Sequence, residues 1–199
     1  MSDFSDIKPF DEESNDINVI IETPKGSRNK FAYDEKLEVF SLKSVLPAGA
    51  AFPFDFGFIP NTRGDDGDPL DVLVLMDEPA FTGCHVPVRL IGAIQAEQSE
   101  ADGEGQGNGV GDGDGDEQKQ PERNDRLIGV ASTAKLYQDV RELSDVTEPL
   151  VDQIEHFFIS YNMERGRKFE PRGRVGARVA RTLVESGRKK AKKKKSKKK

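Results

Sequence analysis

The sequence has 199 residues, of which 33% are charged and 35% are apolar, and its formal net charge is −6 at pH 7. A chain of this length can bury one proper core, and the absence of an apolar run of about 18 residues argues against a membrane span. The single cysteine, Cys84, excludes an internal disulfide, and the acidic N-terminus lacks a basic-then-apolar leader pattern. We therefore expect a cytoplasmic, globular protein with disordered additions.

The charge is distributed unevenly along the chain. Residues 188–199 contain ten Lys and Arg residues and no acid, which leaves a net charge of −16 on the other residues when the total is −6. Such a run cannot pack into a core, so we expect a disordered basic tail over 188–199 that contacts polyanions weakly and without sequence preference. Residues 1–16 are polar and are expected to be flexible, and the folded domain is expected over 17–187.

Short apolar and alternating stretches predict strands in the first two thirds of the chain. The expected strands and extended segments are 17–22, 30–33, 37–40, 52–59, 72–76, 86–94 and 127–131. The pair 30–33 and 37–40 alternates like a half-buried hairpin. Residues 97–117 contain eight acidic residues, seven glycines and no Lys or Arg. Such a segment cannot bury a core, so we expect a flexible insert over about 97–123.

Two helices are expected after the strands. The first opens at Thr147-Glu148-Pro149, where a capping residue precedes an early acid and a proline. Its apolar residues recur at helical spacing: Leu150, Ile154, Phe157, Phe158 and Tyr161. The second is expected over 175–185, with Val179 and Leu183 facing inward and Gly187 ending it. Strands followed by helices indicate an α+β domain.

The densest cluster of acids lies in residues 65–71, which we call the acidic turn. Four carboxylates fall within its seven positions: Asp65, Asp66, Asp68 and Asp71. Gly67 and Pro69 stiffen this segment, and an apolar run follows it, so a rigid turn that leads into a buried strand is expected. Carboxylates this close repel one another unless a cation neutralises them, and hard oxygen ligands suit Mg²⁺, Mn²⁺ or Ca²⁺. An acidic surface turn is the alternative interpretation.

The stretch Asp66-Gly67-Asp68-Pro69-Leu70-Asp71-Val72 resembles the signature of the soluble family I inorganic pyrophosphatases, an Asp-x-Asp-Pro-x-Asp turn before an apolar strand. The aromatic segment from Phe52 to Pro60 is also similar to that family, and the resemblance covers residues 17–170 apart from the insert. It implies a compact OB-like five-stranded β-barrel flanked by two or more α-helices. It also implies a homo-oligomer that hydrolyses inorganic pyrophosphate with Mg²⁺, or with Mn²⁺ or another divalent cation.

The resemblance assigns roles to individual residues. Asp66 and Asp71 would be metal ligands, and Asp68 would be the general base beside the attacking water. Glu22 matches an acidic residue near the metal site, and Asp125 is the candidate for a displaced further ligand, with Asn124 and Glu97 as open alternatives. Four residues would bind the phosphates of the substrate: Lys30, Lys43, Arg126 and Tyr161.

The chain also departs from the family pattern at positions that bind substrate. Ser44, with Lys43 beside it, stands where the family has a phosphate-binding arginine, and Asn162 stands where it has a lysine. Phe52 and Phe56 replace two tyrosines, and Arg126 replaces a lysine. Two alternatives are therefore kept: a catalytically weakened homologue that binds metal and phosphate, and an OB-like module that binds nucleic acid through the basic tail.

Overall fold

The computed structural model describes residues 4–100 and 121–196. Within these ranges the strands and helices follow one another as β1 (Ile17–Thr23), β2 (Asn29–Asp34), β3 (Val39–Val45), β4 (Asp55–Ile59), β5 (Leu70–Leu75), β6 (His85–Glu100), β7 (Glu122–Arg123), β8 (Arg126–Ala131), α1 (Glu148–Met163), β9 (Arg167–Gly176) and α2 (Ala177–Ser196). Short 3₁₀ turns lie at Phe4–Asp6 and Leu143–Asp145. Over these residues, no helix is both long enough and apolar enough to cross a bilayer.

Five strands close into a ring. β1 pairs with β4, β4 with β5, and β8 with β6, all antiparallel, whereas β5 and β8 are parallel. The ring closes where β6 pairs antiparallel with β1, so each of these strands has a partner on both sides. β2 and β3 form a separate hairpin, as the alternating pattern predicted. The α+β class and the five-stranded architecture with two flanking helices are thus confirmed.

The core fills the ring and the space between the ring and its helices. Every residue of β1, β4 and β8 is buried, because these strands are covered on both faces. α1 contributes Ile154 and Phe158 to this core, and both are almost fully buried. β1 and β4 approach so closely at Gly57 that a Cβ there would lie 2.1 Å from the carbonyl oxygen of Ile20. The position therefore accepts only glycine.

The expectation that residues 1–16 are flexible was wrong for the described part of that segment. The ring of Phe4 packs edge-on against Tyr33, with 4.8 Å between the ring centroids, and it also contacts Phe40 and Phe58. Phe10 forms a bridge with Ile17 at the start of β1. The two phenylalanines fix the segment because they bury apolar rings, a contribution that its polar composition concealed.

The ladder around the insert is longer than predicted. β6 continues to Glu100 and pairs with β7 at Glu97 and Gln98. β6 also pairs with β9 from Gly92 to Glu100, and β9 itself was not predicted. The boundaries 97 and 123 were therefore wrong, because both flanks of the expected insert are strands. Residues 101–120, where a flexible insert was expected, lie outside the described residues.

The second helix differs from the prediction at both ends and on its inner face. Val175 belongs to β9, and α2 continues through Gly187 to Ser196. Residues 188–196 are therefore helical, not the disordered tail that was expected, while 197–199 lie outside the described residues. Val179 is 40% exposed, and the helix faces inward through the buried Ala180 and Val184, with Leu183 partly buried beside them.

Candidate functional site

The acidic turn connects β4 to β5 and is fixed by its own hydrogen bonds. The hydroxyl of Thr62 donates to the carbonyl of Ile59 at 2.6 Å and accepts from the backbone N–H of Leu70 at 3.0 Å, which ties the two strand ends together. Gly67 has a φ of +90°, in the left-handed region that favours glycine. The local sequence thus produces the rigid turn that was predicted.

Three of the four carboxylates of the turn, those of Asp65, Asp66 and Asp68, have different surroundings. Asp66 accepts a hydrogen bond from the backbone N–H of Asp68 at 3.1 Å, and burial raises the pKa of its carboxyl. Asp65 forms an ion pair with Lys190 of α2. The side chain of Asp68 is exposed and makes no hydrogen bond or ion pair with the residues that the structure describes. Asp68 is therefore free to accept a proton from a bound water molecule.

Asp71, on β5, is the most perturbed acid of the site. Burial raises its pKa to about 6; Arg126 and Lys30 oppose this shift, whereas the negative charges of Glu22 and Asp66 add to it. Nη1 of Arg126 lies 2.7 Å from the Asp71 carboxylate. The negative charge around Asp71 therefore exceeds what Arg126 and Lys30 neutralise.

Arg126, on β8, is only 6% exposed and holds several groups together. Its guanidinium donates to the side-chain oxygen of Asn124 as well as to Asp71, and it lies 5.2 Å from the ring centroid of Phe158. The Nε atom of Arg126 is buried and has no partner in the described part of the protein. Arg126 thus presents a buried cation, part of whose hydrogen-bonding capacity is unused.

Glu22 and Lys30 form a second buried ion pair. Nζ of Lys30 lies 2.9 Å from the Glu22 carboxylate, whose other oxygen accepts from the backbone N–H of Tyr33 at 2.9 Å. The same ammonium group lies 4.2 Å from the ring centroid of Phe56. The ring of Phe56 thus covers the Lys30 cation with a face that carries no hydroxyl.

Tyr161 approaches the same site from α1. Its ring stacks on Phe157 and meets Phe52 edge-on, with centroid separations of 5.7 and 5.6 Å. Burial raises the pKa of its hydroxyl; Arg165 opposes the shift and Asp71 adds to it. The hydroxyl accordingly lies within the electrostatic field of the acidic site.

Two residues assigned to the site do not join this cluster. Lys43 is on β3, where neighbouring side chains point to opposite faces, so its partner is Asp34 at 3.4 Å while Ser44 faces Tyr161 and Arg165. Both carboxylate oxygens of Asp125 are engaged elsewhere, one by the backbone N–H of Ala96 and the other by Arg123.

Asn124, and not Asp125, shares the guanidinium of Arg126 with Asp71. Glu97, the other open alternative for a further ligand, pairs with Arg172 on β9. Sequence reasoning also missed Arg165. The signal that could have identified it is its position four residues after Tyr161, a spacing that brings side chains together near the end of a helix.

The donor set suits a divalent cation in its chemistry. Asp66, Asp71 and Glu22 supply hard carboxylate oxygens, and burial raises the pKa values of Asp66 and Asp71. Over residues 4–100 and 121–196, however, no three acidic, His or Cys side chains converge closely enough to hold a metal ion. Glu22 and Asp71 are directed toward Lys30 and Arg126 instead.

Comparison with known proteins points to one family. A family model described as inorganic pyrophosphatase matches residues 19–192. The inorganic pyrophosphatase of Nostoc sp. is 37% identical over 150 residues, which are 75% of this chain and 76% of that protein. That of Halalkalibacterium halodurans is 34% identical over 169 residues, 85% of this chain and 91% of that protein. The crystal structure of inorganic pyrophosphatase from Thermus thermophilus matches with a TM-score of 0.79 and 27% identity, covering 96% and 99% of the two chains.

The buried Arg126–Asp71 pair leads to a stability prediction. Replacing Arg126 with Met should lower the free energy of unfolding by about 3 kcal/mol without divalent cations, because Asp71 is left without its cation. Arg123→Met is the matched control, because it removes an arginine that is largely exposed from its pair with Asp125 and should cost below about 1 kcal/mol. Urea unfolding of both variants measures the difference. Equal losses of unfolding free energy in the two variants would show that the Arg126 pair contributes no more to stability than the exposed Arg123 pair.

Proposed function

The chain belongs to the inorganic pyrophosphatase family, and we propose that the site described above hydrolyses inorganic diphosphate to two phosphates with Mg²⁺ as its metal. Hydrolysis of diphosphate is the activity for which its relatives are named. One observation carries the assignment to this site: Asp71 of the acidic turn pairs with the buried cation of Arg126 and lies within the electrostatic reach of Lys30, Glu22 and Asp66.

The chemistry of the reaction requires this mixture of charges. Diphosphate carries repelling oxyanions, and its hydrolysis needs charge neutralisation, an activated water and in-line positioning. We assign Asp66, Asp71 and Glu22 as the residues that would hold divalent cations. When bound, such cations neutralise phosphate charge and lower the pKa of a water molecule.

The other residues act directly on substrate and water. Asp68 is the proposed general base, because its carboxylate is exposed and makes no hydrogen bond or ion pair with the described residues. Lys30 and Arg126 are proposed to bind phosphoryl oxygens, which would compete with Glu22 and Asp71 for these cations. Tyr161 would donate a hydrogen bond from its hydroxyl. Lys43 and Asp125 are left out of this assignment because their side chains are engaged away from the cluster.

The nucleic-acid alternative is not favoured by the structure. Base stacking needs exposed aromatic faces, and Phe52 and Phe56 are only 1% and 5% exposed. The neighbouring Phe54 and Phe58 are buried as well. The aromatic segment is therefore core, and it offers no platform to a base.

Phosphate release from diphosphate tests the proposed function directly. We expect release to depend on Mg²⁺ and to fall by more than about 100-fold after chelation, because carboxylates alone repel the substrate. Added Mg²⁺ should restore the rate, and Mn²⁺ should restore part of it. Turnover that is unchanged in excess chelator would contradict the metal-dependent mechanism.

Asp68→Asn tests the general base. The change keeps the shape of the side chain and removes the proton acceptor, so kcat should fall by about 10²- to 10⁴-fold while the unfolding midpoint changes little. Asp65→Asn is the matched control in the same turn, because Asp65 is paired with Lys190 and has no proposed role in catalysis. Similar kcat values for Asp68→Asn and the wild type would remove Asp68 from the mechanism.

We also propose that the lysine-rich end of α2 contacts polyanions weakly and without sequence preference. Arg188 has a buried Nε atom and Lys190 pairs with Asp65, so the truncation that spares the domain begins at residue 191. Removing 191–199 deletes seven lysines, and it should abolish salt-sensitive retention on immobilised nucleic acid while hydrolysis stays within about twofold. Retention that survives the truncation would place the polyanion contact on the folded domain.

Two further expectations concern assembly and location. We propose that the chain forms a homo-oligomer, which sedimentation velocity would reveal by a mass that exceeds 22.0 kDa. A sedimenting mass equal to that of one chain would contradict this proposal.

We also propose a cytoplasmic location, in line with the single cysteine. Recovery of the protein outside the cytoplasmic fraction of fractionated cells would contradict it.

A further inference from the structure

Arg165 is held at the edge of the candidate site by two hydroxyl groups. It follows α1 directly, and the chain turns at Gly166, which has a φ of +66°, before β9 begins. Nη1 of Arg165 donates to the hydroxyl of Ser44 and to that of Tyr161, each at 2.8 Å. The guanidinium carbon lies 5.1 Å from the ring centroid of Tyr161. Two elements far apart in sequence thus fix the position of this side chain.

The cation of Arg165 differs from Lys30, Arg126 and Lys43 because it pairs with no carboxylate among the described residues. Lys30, Arg126 and Lys43 each lie within 4 Å of a carboxylate. Arg165 forms no such ion pair with any residue that the structure describes, and its hydrogen-bond partners are neutral oxygens. An exposed guanidinium without a carboxylate on a chain of net negative charge is available to an anion from solution.

The geometry of the guanidinium suits a phosphoryl group. Both hydrogen bonds of Arg165 come from one terminal nitrogen, whereas Nη2 and Nε make none with the described residues. These two nitrogens form a fork that can donate to two oxygens of one phosphoryl group at once. Arg165 is hydrogen-bonded to the Tyr161 hydroxyl, which also lies in the field of Asp71, so Arg165 borders the acidic site.

We propose that Arg165 binds a phosphoryl group of the diphosphate substrate, with the hydroxyls of Ser44 and Tyr161 holding its guanidinium in place. This assignment rests on the proposed function and adds a substrate-binding residue to it. The site would bind one end of the substrate through an arginine that pairs with no acid among the described residues. The affinity for substrate therefore depends on this side chain more than its exposed position suggests.

The test compares three variants in steady-state hydrolysis. Arg165→Met should raise KM for diphosphate by about 10- to 100-fold, the effect of losing charge-assisted hydrogen bonds, with a smaller change in kcat. Arg165→Lys keeps the charge but loses the fork, so its KM should lie between those of the wild type and Arg165→Met. Arg172→Met is the control for net charge, because Arg172 pairs with Glu97 and Glu170 on β9 and should leave KM unchanged.

Direct binding separates this proposal from the proposed function. Calorimetric titration with inorganic phosphate should show weaker binding to Arg165→Met than to the wild type, whether or not the protein turns over diphosphate. A wild-type protein that binds phosphate through Arg165 but hydrolyses nothing would leave this assignment standing and contradict the hydrolase. Equal KM and equal phosphate affinity in the wild type and Arg165→Met would overturn the role of Arg165, even in a fully active enzyme.

Discussion

The site depends on negative charge that is buried next to fixed cations. Burial raises the pKa of Asp71 and Arg126 opposes that shift, while Arg126, itself almost inaccessible to water, would be an isolated cation without Asp71. Each charge is tolerated because the other is present. The same pairing explains why the described carboxylates do not converge on a metal position: Asp71 and Glu22 face their cations. Substrate would compete with these carboxylates for their cations, and a metal would compete with the cations for the carboxylates.

The closed ring of strands places Asp71 and Arg126 next to each other. β5 and β8 are the parallel neighbours in an otherwise antiparallel ring, and Val72 lies opposite Leu127. Asp71 and Arg126 each precede that pair by one residue, so they emerge side by side at the same end of the ring. Neither residue could shift without changing the register of two strands that are buried along most of their length. The chemistry is therefore fixed by core packing.

The parts of the site that could be predicted from sequence are those determined locally. The acidic turn is such a case, because Gly67 and Pro69 dictate its backbone wherever it occurs. Lys43 and Ser44 are the opposite case. Which of the two side chains faces the site depends on the register in which β3 pairs with β2. A register shift between Lys30 and Phe31 changes that pairing. Ser44 and Arg165 are 121 residues apart in the sequence. Only the folded chain therefore shows that the Arg165 cation lies next to Ser44, which stands where the family pattern has an arginine.

The rule that a glycine ends a helix fails at Gly187 because of a contact made in the folded chain. This contact also joins the basic segment to the acidic turn. α2 continues through Gly187 and packs closely on the turn there, since a Cβ would lie 2.7 Å from Leu70. The Gly187 carbonyl also accepts the backbone N–H of Arg63 at 3.1 Å. The helix can approach the turn this closely only through a glycine. One turn later, Lys190 reaches Asp65. The basic end of the chain thus neutralises the one acid of the turn that has no proposed chemical role, which lowers the repulsion among the others and leaves them available.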